Sequence, residues 1–495
     1  WDVFLEACFS VCGFPSTPRP TMAPTTKAAL RKWSAHQLTA KLAGLCPSLR
    51  GRASLSEEVV ALPSLDSKLP EESELVSTMK IASLMLKVIH ARLTSGSQCK
   101  AVASELLCEG IAPVLRDLLN TAQPRAADPD HWSIAATAVA VANIITGHTG
   151  DNEVLTTLGE AGVLDGTVRL LIRSSAAPGL PERAIAPEAV YQMCLSHTEN
   201  ATRAHVHGSA LCKALATLLR SDSVEERVAA VRSVTALTNS FAVRIENGGL
   251  DGFHVLLARA GVIRPLVEEL RRPSLDRGAY ARSLPERETV LKAWATTAAA
   301  VSSVARQGAN AQAVIRAGGL EPLLELWHLA HGKRDREAIF PVTEALSNLT
   351  PQSFEVQKAI AADETMLAGL VETLPRDGRI DTADRLRAML SVSAAHIFVG
   401  ICNFEHNRPA ARIAAEESEA AEEDGPFTTI PECSEEEMAI VEQVLASGAA
   451  ERLAVMVKRE TTLMANMAKQ ALHTILCALG QERGEEMLEA VGVTF

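Results

Sequence analysis

A ten-residue pattern that returns seven times constrains this chain more than any other feature. GIAPVLRDLL (110–119), GVLDGTVRLL (162–171), ALCKALATLL (210–219), GVIRPLVEEL (261–270), GGLEPLLELW (318–327), TMLAGLVETL (365–374) and GAAERLAVMV (448–457) each open on a small or polar residue. Apolar residues follow at the second or third position and at the tenth, and in six of the seven also at the sixth. Successive spacings are 52, 48, 51, 57, 47 and 83 residues, and the pattern opens again at Gly492, 44 residues after Gly448. A period of forty-odd residues marks a helical repeat with insertions. No single repeat buries its apolar face alone; stacked neighbours make one continuous core, so 495 residues need not be cut into separate globules.

The flanks complete the unit. Short amphipathic stretches precede the anchors: NEVLTTLGEA before 162, NATRAHVHGS before 210, NAQAVIRA before 318 and EVQKAIAADE before 365. Longer, more apolar ones come after them, among them SIAATAVAVANIITG (133–147), EERVAAVRSVTALTNS (225–240), EAIFPVTEALSNLT (337–350) and LMANMAKQALHTILCAL (463–479). Short helix, medium helix and long helix make a three-part unit. With hydrophobic residues at 47% and aromatics at 4%, the apolar surface comes from Ala, Leu, Val and Ile, which suits closely packed helices better than sheets.

EALSNLTPQSFEVQKAIA (344–361) and ARQGANAQAVIRAGGLEPLLEL (305–326) run from long-helix end through turn and short helix to the Gly that starts the next helix. In this the chain resembles armadillo-repeat proteins of the β-catenin and importin-α kind, over about residues 74–495. The resemblance implies an all-α fold: a right-handed superhelical solenoid of about seven to eight three-helix repeats, third helices lining a groove. HEAT repeats have a similar length but two helices per unit, and the recurring short helix with its Gly boundary favours the armadillo type.

The expected organisation is an N-terminal extension or linker over 1–30, irregular or capping helices over 31–73, repeats over 74–415, an acidic insertion over 416–437, and a C-terminal repeat and cap over 438–495. The opening WDVFLEACFSVCGF lacks the basic start of a secretory signal, and the first Met is Met22. Residues 1–21 therefore read as preceding the natural start, as part of a fragment, or as the remainder left by removal of a presequence. Breaker-rich loops NTAQPRAADPDH (120–131), SSAAPGLPERAIAP (174–187), RRPSLDRGAYARSLP (271–285) and LPRDGRIDT (374–382) fall between second and third helices, which would collect them at one edge. There Arg271, Arg272, Arg277 and Arg282 face only Asp276, a candidate contact for an acidic partner against the plainer reading of a solvated loop.

The insertion holds ten acidic residues, Glu416, Glu417, Glu419, Glu422, Glu423, Asp424, Glu432, Glu435, Glu436 and Glu437, and neither Lys nor Arg. Self-repulsion favours an extended spacer over an element for a basic surface or a strap onto the chain's own arginines. Removing those ten charges from the net −12 leaves −2, so the repeats themselves are nearly neutral. That argues against a chain built to coat nucleic acid or anionic lipid.

Motifs for chemistry are missing: GxxxxGK[ST], GxGxxG after a strand, HExxH, GxSxG and paired CxxC do not occur, so the chain reads as no enzyme, without cofactor or metal. His205 with His207, and His328 with His331, could each share a metal but lack a third ligand nearby and read as solvent-facing or capping. The ten cysteines, Cys8 and Cys12 included, are scattered as structural or free thiols rather than as a disulfide framework. No apolar run reaches the length of a membrane span; the longest, at 134–145, contains Asn143.

Asn143, Asn239, Asn348 and Asn403 recur near the ends of the third helices. They are the groove candidates, able to hold backbone groups between units or to bond an extended partner's main chain, with the structural role favoured. Importin-type binding would place a Trp four residues before such an Asn, whereas Trp294 is followed at that spacing by Ala298. The function expected is a non-catalytic protein-interaction scaffold or structural subunit of a larger complex. It would bind one or more proteins through the groove and the loop-bearing edge, with neither nucleic acid nor a membrane span involved. A reversible adaptor or client chaperone is the alternative, and an enzyme with an unrecognised site the third reading. The location expected is cytoplasmic, with a cytoskeletal or ciliary setting and organelle import left open.

Overall fold

A glycine with φ between 66° and 82° stands at the start of five of the seven anchors, Gly110, Gly162, Gly261, Gly318 and Gly448, and again at Gly492, where the pattern reopens. A side chain would strain that left-handed backbone, and the glycine lets one helix end and the next leave at a sharp angle. The computed structural model describes residues 34–50, 82, 85–87, 89–90, 93–94, 99–121, 129–149, 151–241, 252–275, 284–375, 384–404, 433–459 and 463–493. Among these described residues every regular element is helical.

Contacts divide the chain into two halves, residues 1–256 and 257–495. The first holds α1 (Ala35–Arg50) and the triplets α2 (Cys99–Cys108), α3 (Ile111–Thr121), α4 (Pro129–Thr149); α5 (Asn152–Glu160), α6 (Val163–Ser174), α7 (Glu182–Cys194); and α8 (Thr198–His205), α9 (Gly208–Leu218), α10 (Val224–Phe241). Helix α11 (Phe253–Arg259) spans the division. The second half holds α12 (Ile263–Leu275), α13 (Leu284–Ala305); α14 (Gly308–Arg316), α15 (Leu320–Lys333), α16 (Arg336–Leu349); α17 (Phe354–Ala361), α18 (Glu364–Thr373), α19 (Arg385–Ile401); α20 (Glu435–Ala446), α21 (Ala449–Arg459), α22 (Leu463–Leu479); and α23 (Gln481–Val491).

Like packs on like. Second helices form a row, α1 on α3 on α6 on α9 in the first half and α12 on α15 on α18 in the second; third helices do the same, α4–α7–α10 and α13–α16–α19–α22. This is an armadillo-like helical-repeat fold, and its core is the aliphatic one that the composition requires: Leu115, Leu170, Leu215, Leu266, Leu323, Leu370 and Leu453 of the second helices are all buried. Helix α1 lies against α3 as α3 lies against α6, so the second-helix row already begins within residues 35–50. The long spacing before Gly448 does not break the stack, because α20 still packs on α17 and α22 on α19.

Several boundaries differ from the sequence reading. The third and sixth anchors start two residues and one residue earlier than placed, at Gly208 behind His207 and at Glu364 behind Asp363, whose carboxylate accepts from Met366 N at 2.9 Å. There a polar N-terminal residue replaces the left-handed glycine. Only half of the breaker-rich 174–187 is a loop: α7 starts at Glu182 and takes Pro187 as its sixth residue, the position that Pro341 holds in α16. A proline there forgoes only its own bond to the carbonyl of Arg183, so breaker composition overstated the loop; Ser233 Oγ of α10 donates to Pro187 O and ties the two helices. Likewise α12 runs through Arg271 and Arg272 to Leu275.

Candidate functional site

Each third helix leaves one side partly exposed among the described residues. On α10, Val228, Arg232 and Asn239 remain at least partly exposed; on α7, Ala184, Tyr191 and Gln192; on α4, Thr137, Ala140 and Asn143. In the second half the open positions are Lys292, Thr296 and Ala299 on α13, Phe340, Glu344 and Asn348 on α16, Met389, Val392, His396 and Val399 on α19, and Gln470, His473 and Cys477 on α22. Steps of three, four or seven residues put each set on one helix face, with Gln192 beside Tyr191 at its margin, and side-by-side packing joins the faces into a row within each half.

In the first half that row is built over buried charge. Arg232 Nη1 holds Glu188 Oε1 at 2.8 Å while its guanidinium carbon lies 4.3 Å above the centre of the Tyr191 ring, and Gln192 Nε2 donates to the same carboxylate oxygen at 3.1 Å. Burial pushes the Glu188 carboxyl up, against the pull of Arg232 and Gln192. One turn away, Arg183 donates from Nε to Glu226 Oε2 at 2.8 Å and from Nη1 to Ser175 O at 2.5 Å, with both charged side chains buried. Glu182 beside it is fully buried, neither carboxyl oxygen has a hydrogen-bond partner, and burial pushes it up to about 7.

The second half uses neutral groups. Asn348 Nδ2 donates to Ser302 O at 3.1 Å and to Ser302 Oγ at 3.3 Å, tying α16 to α13. Ion pairs there stay near water: Arg306–Glu344 at 3.0 Å and Arg336–Asp384 at 2.9 Å. His396 lies on the open side of α19, where partial burial holds its imidazole below the ordinary value.

The four asparagines do not share one task. Asn348 is an inter-unit lock; Asn143 is half-buried, with a buried Oδ1 that has no partner; Asn239 is exposed; Asn403 is half-buried, and its main-chain oxygen accepts from Gln357 Nε2 at 2.7 Å. Of the edge arginines, Arg271 is spent inside the protein, donating from Nη2 to Ala317 O and Gly318 O at 2.8 and 3.1 Å, and Arg272 holds Glu269 at 3.1 Å. They belong to helix α12 rather than to a loop; Arg277 and Arg282 lie outside the described residues. In the acidic run, Glu435, Glu436 and Glu437 form the first turn of α20, where they suit the positive helix end. Ser434 and Glu437 make a capping box there, so the insertion ends earlier than 437. Glu416, Glu417, Glu419, Glu422, Glu423, Asp424 and Glu432 lie outside the described residues, as do Cys8 and Cys12.

Trp294 points into the core, 3% exposed, away from the open row. Cys194, Cys212 and Cys402 are free thiols that burial pushes up to about 12, which keeps them protonated and inert. The locks that sequence reasoning missed sit on first helices. Asn200 Nδ2 donates to Leu155 O and Met193 O at 3.0 and 2.9 Å, Asn310 Nδ2 to Val304 O at 3.1 Å, and Gln357 Nε2 to Gly400 O at 2.8 Å. Asn200 and Asn310 both fall at the third residue of their helices, a recurrence that could have flagged them.

No family model matches the chain, and no curated protein matches it either. Among solved structures it is similar to an engineered protein from a structural genomics consortium, at 16% identity and a TM-score of 0.50, over 86% of this chain and 90% of that one. It is also similar to a designed armadillo repeat protein (22% identity, TM-score 0.39, 57% of this chain and 96% of that one). A second designed armadillo repeat protein, solved in complex with a (KR)4 peptide, matches at 22% identity and a TM-score of 0.37, over 57% and 95%. At such identities the likeness concerns the fold. No described helix is long and apolar enough to cross a membrane.

Proposed function

We propose that this chain is a non-catalytic interaction scaffold, a structural subunit of a larger assembly that holds protein partners along the open faces of its third helices. The carrying observation is the spacing of those faces. Half-exposed aliphatic side chains (Val228 on α10, Val392 and Val399 on α19) and half-exposed amides and hydroxyls (Gln192 on α7, Asn143 on α4, Thr296 on α13) recur on the open sides of the third helices, on a backing held by buried side-chain hydrogen bonds. The edge carrying the loops between second and third helices is the second surface in this reading.

The test replaces Val228 and Val392 singly by Arg and compares them with a control on a first helix, Glu442→Lys. Partners are recovered from the native source by cross-linking, with helicity checked by circular dichroism. Each face variant should lower partner recovery by about tenfold or more, what losing roughly 1.4 kcal/mol of buried contact produces, and the control should not. Equal losses in all three would refute the open face as the binding surface.

A further inference from the structure

Helices α7 and α10 carry three arginines, and two of them are spent inside the protein. Arg183 bonds to Glu226 and to Ser175 O, and Arg227 Nη1 donates to Ser221 O and Asp222 O, both at 2.9 Å. Arg232 differs. Its Nη1 meets Glu188 Oε1 at 2.8 Å and its guanidinium carbon lies 4.3 Å from the centre of the Tyr191 ring, which leaves the Nε and Nη2 edge of the fork unused. Neither of those nitrogens has a hydrogen-bond partner among the described residues, and neither is closed off from water, since 22% of the side chain is exposed.

A guanidinium held in this way is a pre-organised receptor. Its Nε–H and one Nη2–H run parallel, at the spacing of the two oxygens of one carboxylate, and the side-chain freedom that binding would remove is already restricted by the ring and the inner carboxylate. Glu188, with 5% of its side chain exposed, is covered from the open side, so it positions the arginine without occupying that edge. Of the open residues described on α4, α7 and α10, Arg232 is the charged one; Val228, Gln192 and Asn239 around it are neutral. A basic segment laid along this face would meet a fixed cation, whereas an acidic one would find its complement.

We propose that Arg232, held by Glu188 and Tyr191, is the anchor for an Asp or Glu side chain of an extended acidic segment of a partner protein. This rests on the open third-helix faces being the partner surface and adds the chemistry of the partner: its carboxylate accepts from Nε and Nη2 of Arg232 while Nη1 stays on Glu188. The experiment is fluorescence anisotropy of the full chain with three probes, labelled at the N-terminus and amidated at the C-terminus so that neither end is charged. One is four repeats of Glu-Val-Ser, and the others carry Gln or Lys in place of each Glu. The wild type should bind the Glu probe about tenfold more tightly than the Gln probe, and the Lys probe least. Arg232→Lys keeps a charge beside Glu188 but has no fork, and should lose most of that preference. Combining Arg232→Gln with Glu188→Gln strands no buried charge, so helicity by circular dichroism should hold while the preference disappears. Equal affinity for the three probes, binding of none, or a Glu preference that survives the double variant would each overturn the anchor. The loss of partner recovery expected for Val228→Arg and Val392→Arg is read without these probes, so the open face and its acidic anchor fail separately.

Discussion

Between α7 and α10 the third helices are joined by two ion pairs shielded from water, Arg183–Glu226 and Glu188–Arg232; between α13 and α16 the same kind of junction rests on the Asn348 amide and Ser302. Both halves stack the same unit, so the architecture does not depend on which chemistry ties the helices. What does depend on it is the response to conditions. Buried charges cost desolvation and repay it only while every partner is present, whereas an amide on a carbonyl is indifferent to pH. The α7–α10 junction should therefore be sensitive to partner removal and to pH, and the α13–α16 junction much less so.

The sharpest break in that contrast is Arg183→Met. It would leave Glu226 buried without its cation and should cost about 3–5 kcal/mol in chemical unfolding followed by circular dichroism. Arg336→Met removes a pair whose side chains are 57% and 34% exposed and should cost less than about 1 kcal/mol. Similar losses would mean that burial does not separate the two junctions.

Glu182 supplies the next effect. Its folded value of about 7 stands above the ordinary 4.5, so between those values the folded chain keeps a proton that the unfolded chain has lost. The stability it contributes is complete below about pH 4.5 and is lost as pH rises through about 7, a difference of about 3 kcal/mol. Glu182→Gln should match the wild type near pH 4 and be more stable by up to that amount at pH 8. Unfolding curves with the same pH dependence in both proteins would contradict an unpartnered carboxyl at this position.

How much of this could be read from the chain depends on the range over which periodicity acts. The repeat, the three-helix unit and the Gly boundaries were legible because apolar spacing and left-handed glycines act within about ten residues. The anchors at 210 and 365 slipped by one or two residues because His207 and Asp363 stand where other units have a left-handed glycine, Asp363 capping its helix through the carboxylate. Pro187 and the arginines at 271 and 272 misled for a related reason: breaker and charge composition marks loops on average, but stacking against α10 and a carbonyl pair on the next unit kept these residues helical. Asn348 stood out by its place on a third helix; its partner Ser302, 46 residues away, could not, since cross-unit contacts leave no local spacing. The same holds for Arg183 and Glu226, whose burial is set by neighbours 43 residues apart.

The smallest effect compares two glycines that admit close packing, one in each half. A methyl group at Gly159 would stand 2.0 Å from Asn200 Oδ1, an amide held by its two bonds to Leu155 O and Met193 O. At Gly369 it would stand 2.5 Å from Trp327 Cη2 and 2.8 Å from His331 Nε2, against an indole stacked on that imidazole with ring centres 4.6 Å apart. Replacing Gly by Ala inside a helix gains about 1 kcal/mol in propensity, while overpacking costs about 1–3 kcal/mol. Gly369→Ala should therefore lose up to about 2 kcal/mol in urea unfolding, because rigid rings cannot yield without shifting the helix beneath them. Trp327→Phe in the same chain should recover part of the loss by shortening the ring that the methyl meets. If the pair of substitutions were simply additive, the clash would lie elsewhere and the close approach of α18 to α15 would not depend on this glycine.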